Sequence, residues 1–416
     1  MKSKSLWFFA LFLSACFLEN PVKETPALDE RGYNEWILSR LYLYPEDLPQ
    51  AFTADSIQAL YAALSDPYTR YIPPAKAPDA EQGMNTSIIP GDIGVEIYLN
   101  AEAKYPLFLY RIYPDAPAGR AGVPRYSRLV SVNGTELSGD DAYNAYLKVM
   151  KANKEITLTV ENEEGTQTFS LVKETVYAPT VFVDTLPQAV IITIREFTLT
   201  TSDHEKGTLG EFQKILEEAD PNVLKVIDIR NNPGGHISQC VNAADLLVER
   251  GILSIRFTNQ MTPDGKKQIK KTVVNASAGG IGENGNFVLA INRYTASCGE
   301  IFATAIAENT SIPLIGETTY GKGIGQSVWK TPAGGDAVIT GTQFLTPNGV
   351  NYHQQGIPPD IFCENASLNC ILNAAGTPAG ALLTKKEYVS LRDILMPPRR
   401  ILYGALEEGE NECVSF

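Results

Sequence analysis

Histidine is scarce in this chain. There are three in 416 residues, His204, His236 and His353, and they are scattered. No histidine or cysteine spacing resembles a zinc site, so no metal is expected, and nothing in the sequence asks for another cofactor. Long apolar runs are missing too. The run near the start, Leu6 to Leu13 (LWFFALFL), is too short to span a bilayer as a mature helix. No later stretch is apolar for long enough to cross a membrane. Basic residues are outnumbered, 35 against 48 acidic ones, for a formal charge of −13. No basic run supplies a nucleic-acid groove, which excludes nucleic acid as a partner. The acidity itself favours solubility.

The first residues speak to compartment. Lys2 and Lys4 form a short basic region, the apolar run follows, and Ser14 and Ala15 are small. Residues 1–15 therefore read as a secretory signal. The tetrapeptide LSAC at 13–16 resembles a bacterial lipobox, which implies a lipid on Cys16 as the new N-terminus. An ordinary signal peptide with a chance cysteine is the plainer alternative. The expected location is the bacterial cell envelope, periplasmic or extracytoplasmic, with a lipid anchor to the membrane. Losing residues 1–15 removes two lysines and no acid. Five other cysteines remain: Cys240, Cys298, Cys363, Cys370 and Cys413. The number is odd, so one at least is unpaired within the chain. Cys363 and Cys370 bracket CENASLNC, which closes as a disulfide or holds two independent thiols.

Hydrophobic residues make up 44% of the chain, enough for a packed core, and the length allows two or three domains. Residues 16–29, with Pro21 and Pro26, read as a tether. Residues 30–82 carry helical apolar spacing and run into LSDPYTRYIPP, where prolines stop helix. Residues 83–175 alternate short strands with a Pro/Gly turn and short helix (PDAPAGRAGV), an Asn133-Gly134 turn and a second helix over 142–151. From 176 to 365, strands at 189–194, 223–229 and 287–291 alternate with helices at 207–218, 238–248 and 297–308, the pattern of an α/β layered unit. Residues 366–416 form a C-terminal extension.

Three segments carry chemistry. In VIDIRNNPGG (226–235) a strand runs into Gly234-Gly235 and a helix. Such glycines leave amides open to a developing negative charge. No lysine follows Gly235, which argues against a nucleotide loop. In NRYTASCGEIFATAIAEN (292–309) Ser297 opens an apolar helix, where a nucleophile gains from the helix N-terminus and the amide of Cys298. Ser297 with Glu300 also spells a simple capping box. In IGETTYGKGIGQSV (315–328) Lys322 sits between glycines at the entry to a strand. Period-two alternation places Lys322, Ile324 and Gln326 on one face. As a base this lysine must be neutral, whereas an unshifted lysine is roughly 0.04% deprotonated at pH 7. A solvated lysine in a hairpin is the plainer reading of that segment.

Together these segments resemble the C-terminal-processing (tail-specific) protease family over about residues 30–365. The matching stretches also include LSDPYTRYI and GIPPDI at 356–361. The resemblance implies an α/β fold with a ββα-spiral protease core related in layout to crotonase and Clp-type proteases. An inserted α+β domain at 83–175 resembles a circularly permuted PDZ domain, and an N-terminal helical segment precedes it. The resemblance further implies Ser297 as nucleophile, Lys322 as general base and Gln326 as its support. The oxyanion amides would be those of Gly234 or Gly235, and of Cys298. In the PDZ-like part, GDIGVEI (91–97) would offer the amides of Ile93, Gly94 and Val95 to a peptide carboxylate. Protein or peptide substrates with free C-termini follow as partners, and an adaptor or a homo-oligomer is compatible. The chain departs from the family at Cys298 and Gly299, where small residues such as alanine or serine are usual. It departs again at Pro124-Arg125-Tyr126-Ser127-Arg128, where many such domains have Gly-Asp. Two other functions compete: a non-catalytic peptide-binding lipoprotein of the same fold, and a Ser–His hydrolase using His236.

Overall fold

The computed structural model describes residues 15–17, 28–50, 52–99, 103–187, 189–376 and 401–402, with 15–17 and 401–402 as backbone alone. The signal reading of residues 1–14 and Cys413 lie outside the described residues, as does the side chain of Cys16. Among the described residues no helix is long and apolar enough to cross a membrane.

The elements follow one another as β1 (Ala15–Phe17), α1 (Glu30–Leu41), α2 (Ile57–Ala62), β2 (Arg70–Ile72), α3 (Ala77–Asn85), β3 (Ile88–Asp92), β4 (Val95–Leu99), β5 (Leu107–Ile112), α4 (Pro117–Arg120), β6 (Arg128–Val132), β7 (Thr135–Glu136), α5 (Ala142–Ala152), β8 (Glu155–Asn162), β9 (Gly165–Val172) and β10 (Glu174–Tyr177). There follow β11 (Val181–Leu186), β12 (Ala189–Ile194), α6 (Gly207–Glu218), β13 (Leu224–Asp228), α7 (Ile237–Asp245), β14 (Ile252–Met261), β15 (Lys267–Asn275), β16 (Phe287–Ile291), α8 (Cys298–Ala307), β17 (Leu314–Gly316), β18 (Ile324–Lys330), β19 (Asp336–Leu345), β20 (Ile361–Phe362), α9 (Leu368–Ala374) and β21 (Ile401–Leu402).

The chain divides into two units. The described core of the first is Ser87–Pro179. Its sheet runs β21-β4-β5-β6-β8-β9, with β7 on β6, and β3 pairs with β10 beside it. β8 alternates buried and exposed side chains, the period of a half-buried strand. Ile156, Leu158 and Val160 join Val95, Leu109, Leu129, Tyr146 and Met150 in one core. Asn133 and Gly134 both take positive φ, 46° and 77°, in the tight turn between β6 and β7.

The second unit holds the N-terminal helices together with residues 180–378. One sheet runs β11-β12-β13-β16-β17-β20, antiparallel at its first pair and parallel thereafter. β13 and β16 are buried along their whole length, as strands covered on both faces must be. α8 is buried from Cys298 to Ile306, so it is a core helix rather than an amphipathic one. Its Phe302 meets Phe197 and Phe212, with ring centroids 5.6 and 6.3 Å apart. The other sheet is built on β18, β19, β14 and β15, with β2 pairing antiparallel on β19. α1 is capped by Asp29, whose carboxylate accepts the Gly32 amide at 2.7 Å. It buries Tyr33, Ile37, Leu38 and Leu41 against Met261, Trp329 and Ile339 of that sheet. The N-terminal segment is thus a layer of the second unit, and α9 extends the same unit past residue 365.

Candidate active site

β16 ends in the turn Asn292–Ala296, which presents Ser297. Thr295 Oγ1 donates to Ile229 O at 2.8 Å, and the Ala296 amide donates to Asn232 O at 2.9 Å. The end of β16 is so laced to the loop that follows β13. Ser297 then takes φ 54° and ψ −116° as N-cap of α8. A non-glycine residue held there costs on the order of 1–3 kcal/mol, and its surroundings must impose it. Glu300 contributes to that: its Oε2 accepts the Ser297 amide at 2.9 Å.

Glu300 is fully buried and does more than cap. Its Oε1 accepts from Thr319 Oγ1 at 2.5 Å and from the Gly321 amide at 2.6 Å. Its Oε2 also accepts the Lys322 amide at 2.7 Å. Burial pushes this carboxyl up, while the bonds from Thr319, Gly321, Lys322 and Ser297 favour the ionised form. The capping-box residue is therefore the tie between the serine turn and the lysine loop, a role the sequence did not disclose.

Lys322 is 2% exposed. Its Nζ lies 4.7 Å from the centre of the Tyr68 ring. Burial, and after it the Arg70 charge, lower its pKa to about 7, against the opposing pull of Asp66 and Glu300. At pH 7 about half of it is then neutral. Lys322 precedes β18 rather than lying in it, and the β18–β19 register shifts between Gly325 and Gln326. Period-two alternation therefore does not relate Lys322 to Gln326, because the lysine lies outside the strand and a bulge intervenes before the glutamine. Gln326 Nε2 donates to Thr340 Oγ1 at 2.9 Å, while its Oε1 is buried without a partner. Thr340 is positioned in turn, its amide donating to Thr69 Oγ1 at 2.9 Å. Thr69 Oγ1 donates to Asp66 Oδ2 at 2.6 Å. LSDPYTRYI thus builds the wall of the lysine pocket. The motif was visible in the sequence, but its partners lie more than 250 residues away along the chain.

Of the glycine pair, Gly234 has its amide committed to Asn232 Oδ1 at 2.8 Å. That corrects Gly234 as a free donor and leaves the amides of Gly235 and Cys298. Gly234 is needed for room instead. It has φ 114°, and a Cβ on it would stand 2.8 Å from Ser297 Cβ and 2.9 Å from Cys298 N. Below the loop, Arg230 clasps Asp228 through Nε at 2.8 Å and Nη2 at 2.6 Å. His236 follows Gly235, but its Nδ1 lies 2.9 Å from Ser238 Oγ. His353 Nδ1 lies 3.2 Å from Gly321 O. The cysteines pair as Cys363–Cys370 and Cys240–Cys298, the second unforeseen.

In the first unit, the Gly94 amide donates to Asp92 Oδ1 at 2.6 Å, and the Ile93 and Val95 amides also act on that carboxylate. The three amides expected to receive a peptide carboxylate are thus turned onto a carboxylate of the chain itself. Asp92 Oδ2 is buried without a partner. Burial pushes the Asp92 carboxyl up, against those amide bonds.

Residues 189–362, which include the serine turn, the lysine loop and the glycine pair, match the profile of peptidase family S41. Over that segment the chain is similar to this family. With the similarity to named C-terminal processing peptidases, this match supports a serine protease of the C-terminal-processing type. Among similar curated proteins, the chloroplastic C-terminal processing peptidase of Tetradesmus obliquus is 27% identical over 344 residues, covering 79% of this chain and 72% of that protein. The carboxy-terminal processing protease CtpA of Bacillus subtilis is 24% identical over 315 residues, covering 74% of this chain and 63% of its own length. A solved S41-assigned structure from Bacteroides fragilis shares the fold at a TM-score of 0.53 and 12% identity, covering 90% of this chain and 97% of that one.

Proposed function

We propose that this chain is an S41-type Ser–Lys endopeptidase of the cell envelope. The observation that carries the reading is a buried Lys322 with a pKa of about 7, tied to the Ser297 turn through Glu300. Neutral Lys322 takes the hydroxyl proton of Ser297 as its oxygen attacks the peptide carbonyl. Gln326, with its free Oε1, orients the amine. The amides of Gly235 and Cys298 receive the tetrahedral oxyanion, which collapses to an acyl-enzyme with loss of the amine fragment. Water then releases the acyl group.

The PDZ-like unit supplies capture. A peptide adds as a strand along the edge of β4, the edge on which Ile401–Leu402 pairs antiparallel. Its terminal carboxylate displaces Asp92 from the Gly94 amide. LSAC at 13–16 supports a lipid anchor on Cys16, and intact-mass analysis of the mature N-terminus tests it.

Labelling with a serine-directed acylating probe tests the catalytic reading. The parent should acylate at Ser297, and Ser297→Ala should not. Lys322→Ala and Lys322→Arg should both abolish cleavage, since arginine stays charged. An inactive His236→Ala beside an active Lys322→Ala would transfer the role of base to His236.

A further inference from the structure

We propose that the Cys240–Cys298 disulfide is a redox latch on the oxyanion hole, so that the protease gains full turnover only after it folds under oxidising conditions. The proposal rests on the Ser–Lys reading above and adds a regulation of the same site.

The bond joins the two segments that face the attacked carbonyl. Cys298 is the first residue of α8 and follows Ser297; Cys240 lies in α7, the helix entered from Gly235 through His236. Their Cα atoms are 5.8 Å apart and 58 residues separate them. Cys298 Sγ also packs 3.2 Å from His236 O, beside the glycine loop. The lysine side of the site is held by Glu300, and Ala296 by Asn232 O. The position of Cys298 relative to α7 is held covalently, through its side chain.

Both cysteines are fully buried, at 0% and 1% exposed, within the core of Phe302, Ile301 and Val241. Bonded sulfurs sit about 2 Å apart. Two thiols need a non-bonded separation on the order of 3.5 Å. A close-packed interior has no slack for the difference. The first turn of α8 or the start of α7 must shift, and these carry the Cys298 and Gly235 amides. A misplacement of about 1 Å at a reacting centre costs roughly 10²-fold in rate.

The chemistry balances simply. On oxidation the two thiols lose two protons and two electrons, and a small-molecule disulfide accepts them to become two thiols. A dithiol reverses this. Because the bond is buried, exchange belongs to the folding chain and not to the finished enzyme. A reducing cytoplasm leaves the latch open and an oxidising envelope closes it.

The test refolds the full chain from denaturant either with excess dithiol or with a small-molecule disulfide. Turnover of a quenched peptide and the rate of Ser297 acylation are then measured. The oxidised parent should exceed the reduced parent about 10- to 100-fold in kcat, with KM and the circular dichroism unchanged. Cys363→Ala/Cys370→Ala should keep that ratio, and Cys240→Ala/Cys298→Ala should bring it to one. A parent ratio within twofold, a ratio that follows the 363–370 pair, or free thiols at 240 and 298 in envelope-purified enzyme would each overturn the latch. So would a reduced chain, or a Cys240→Ala/Cys298→Ala variant, that fails to recover the fold, because the bond would then serve folding. Absence of Ser297 acylation in the oxidised parent would instead sink the Ser–Lys reading.

Discussion

The backbone amides of Ser297 and Lys322 converge on one oxygen, Glu300 Oε2, at 2.9 and 2.7 Å. The proposed nucleophile and base stand on different loops, and a single buried carboxylate ties those loops together. Its second oxygen binds the loop again at Thr319 and Gly321.

Glu300→Ala should therefore lower kcat by roughly 10²-fold through misplacement and leave KM nearly unchanged. Glu300→Gln keeps the size but offers an N–H where an acceptor is needed, so it too should be slow. It also removes a charge that raises the Lys322 pKa. The acid limb of its residual pH–rate profile should then fall below that of the parent. An unshifted profile with normal kcat would dismiss the tie.

The acid limb of kcat/KM in the parent should have its midpoint near the Lys322 pKa of about 7. Arg70 lowers that pKa, so Arg70→Met should move the midpoint upward and cost activity at pH 6 to 7 but little on the alkaline plateau. Stability carries the same sign. The folded lysine is mostly neutral above about 7, whereas an unfolded lysine keeps its proton up to about 10.4. The unfolded state binds more protons in that window, so this group's destabilisation is full below pH 7 and fades as pH rises toward the unfolded value. Lys322→Met should raise Tm most at acid pH, with the gain shrinking by pH 10. A gain independent of pH would remove the buried charge as its cause.

Gly234→Ala brings a methyl to 2.8 Å from Ser297 Cβ. It should cut kcat at least about 10²-fold. Gly349→Ala is the control: its φ is also positive, at 84°, but nothing stands within 4 Å of the added carbon. It should lose some thermal stability and keep turnover. Equal losses of turnover in both would point to backbone strain alone.

Asp92 already holds the Gly94 amide, and under the capture proposal an incoming carboxylate would have to displace it. Asp92→Gly should raise the preference for a free-acid peptide over its C-terminal amide, by about tenfold or more if one charge-assisted bond is gained. Calorimetry on a Ser297→Ala background reads this directly. An unchanged ratio would remove the carboxylate role from Ile93, Gly94 and Val95.

The sequence by itself marked the strands and helices around the site and named the candidate reacting groups. Period, turn chemistry and glycine placement are local, and they put Ser297 at the start of α8 and Gly234-Gly235 between β13 and α7, as the structure has them. What the sequence could not state was which of these groups is free. Gly234 and Gly235 look alike along the chain, yet the amide of Gly234 already donates to Asn232 Oδ1. Ile93, Gly94 and Val95 look available, yet Asp92 turns onto them. Lys322 looks solvated in its hairpin, and only burial under Tyr68, with the Arg70 charge, brings its pKa down to about 7. Cys240 and Cys298, 58 residues apart, carry no local mark of being bonded. Burial, partner choice and long-range pairing belong to the packed chain, because they depend on atoms that the fold brings together from distant positions.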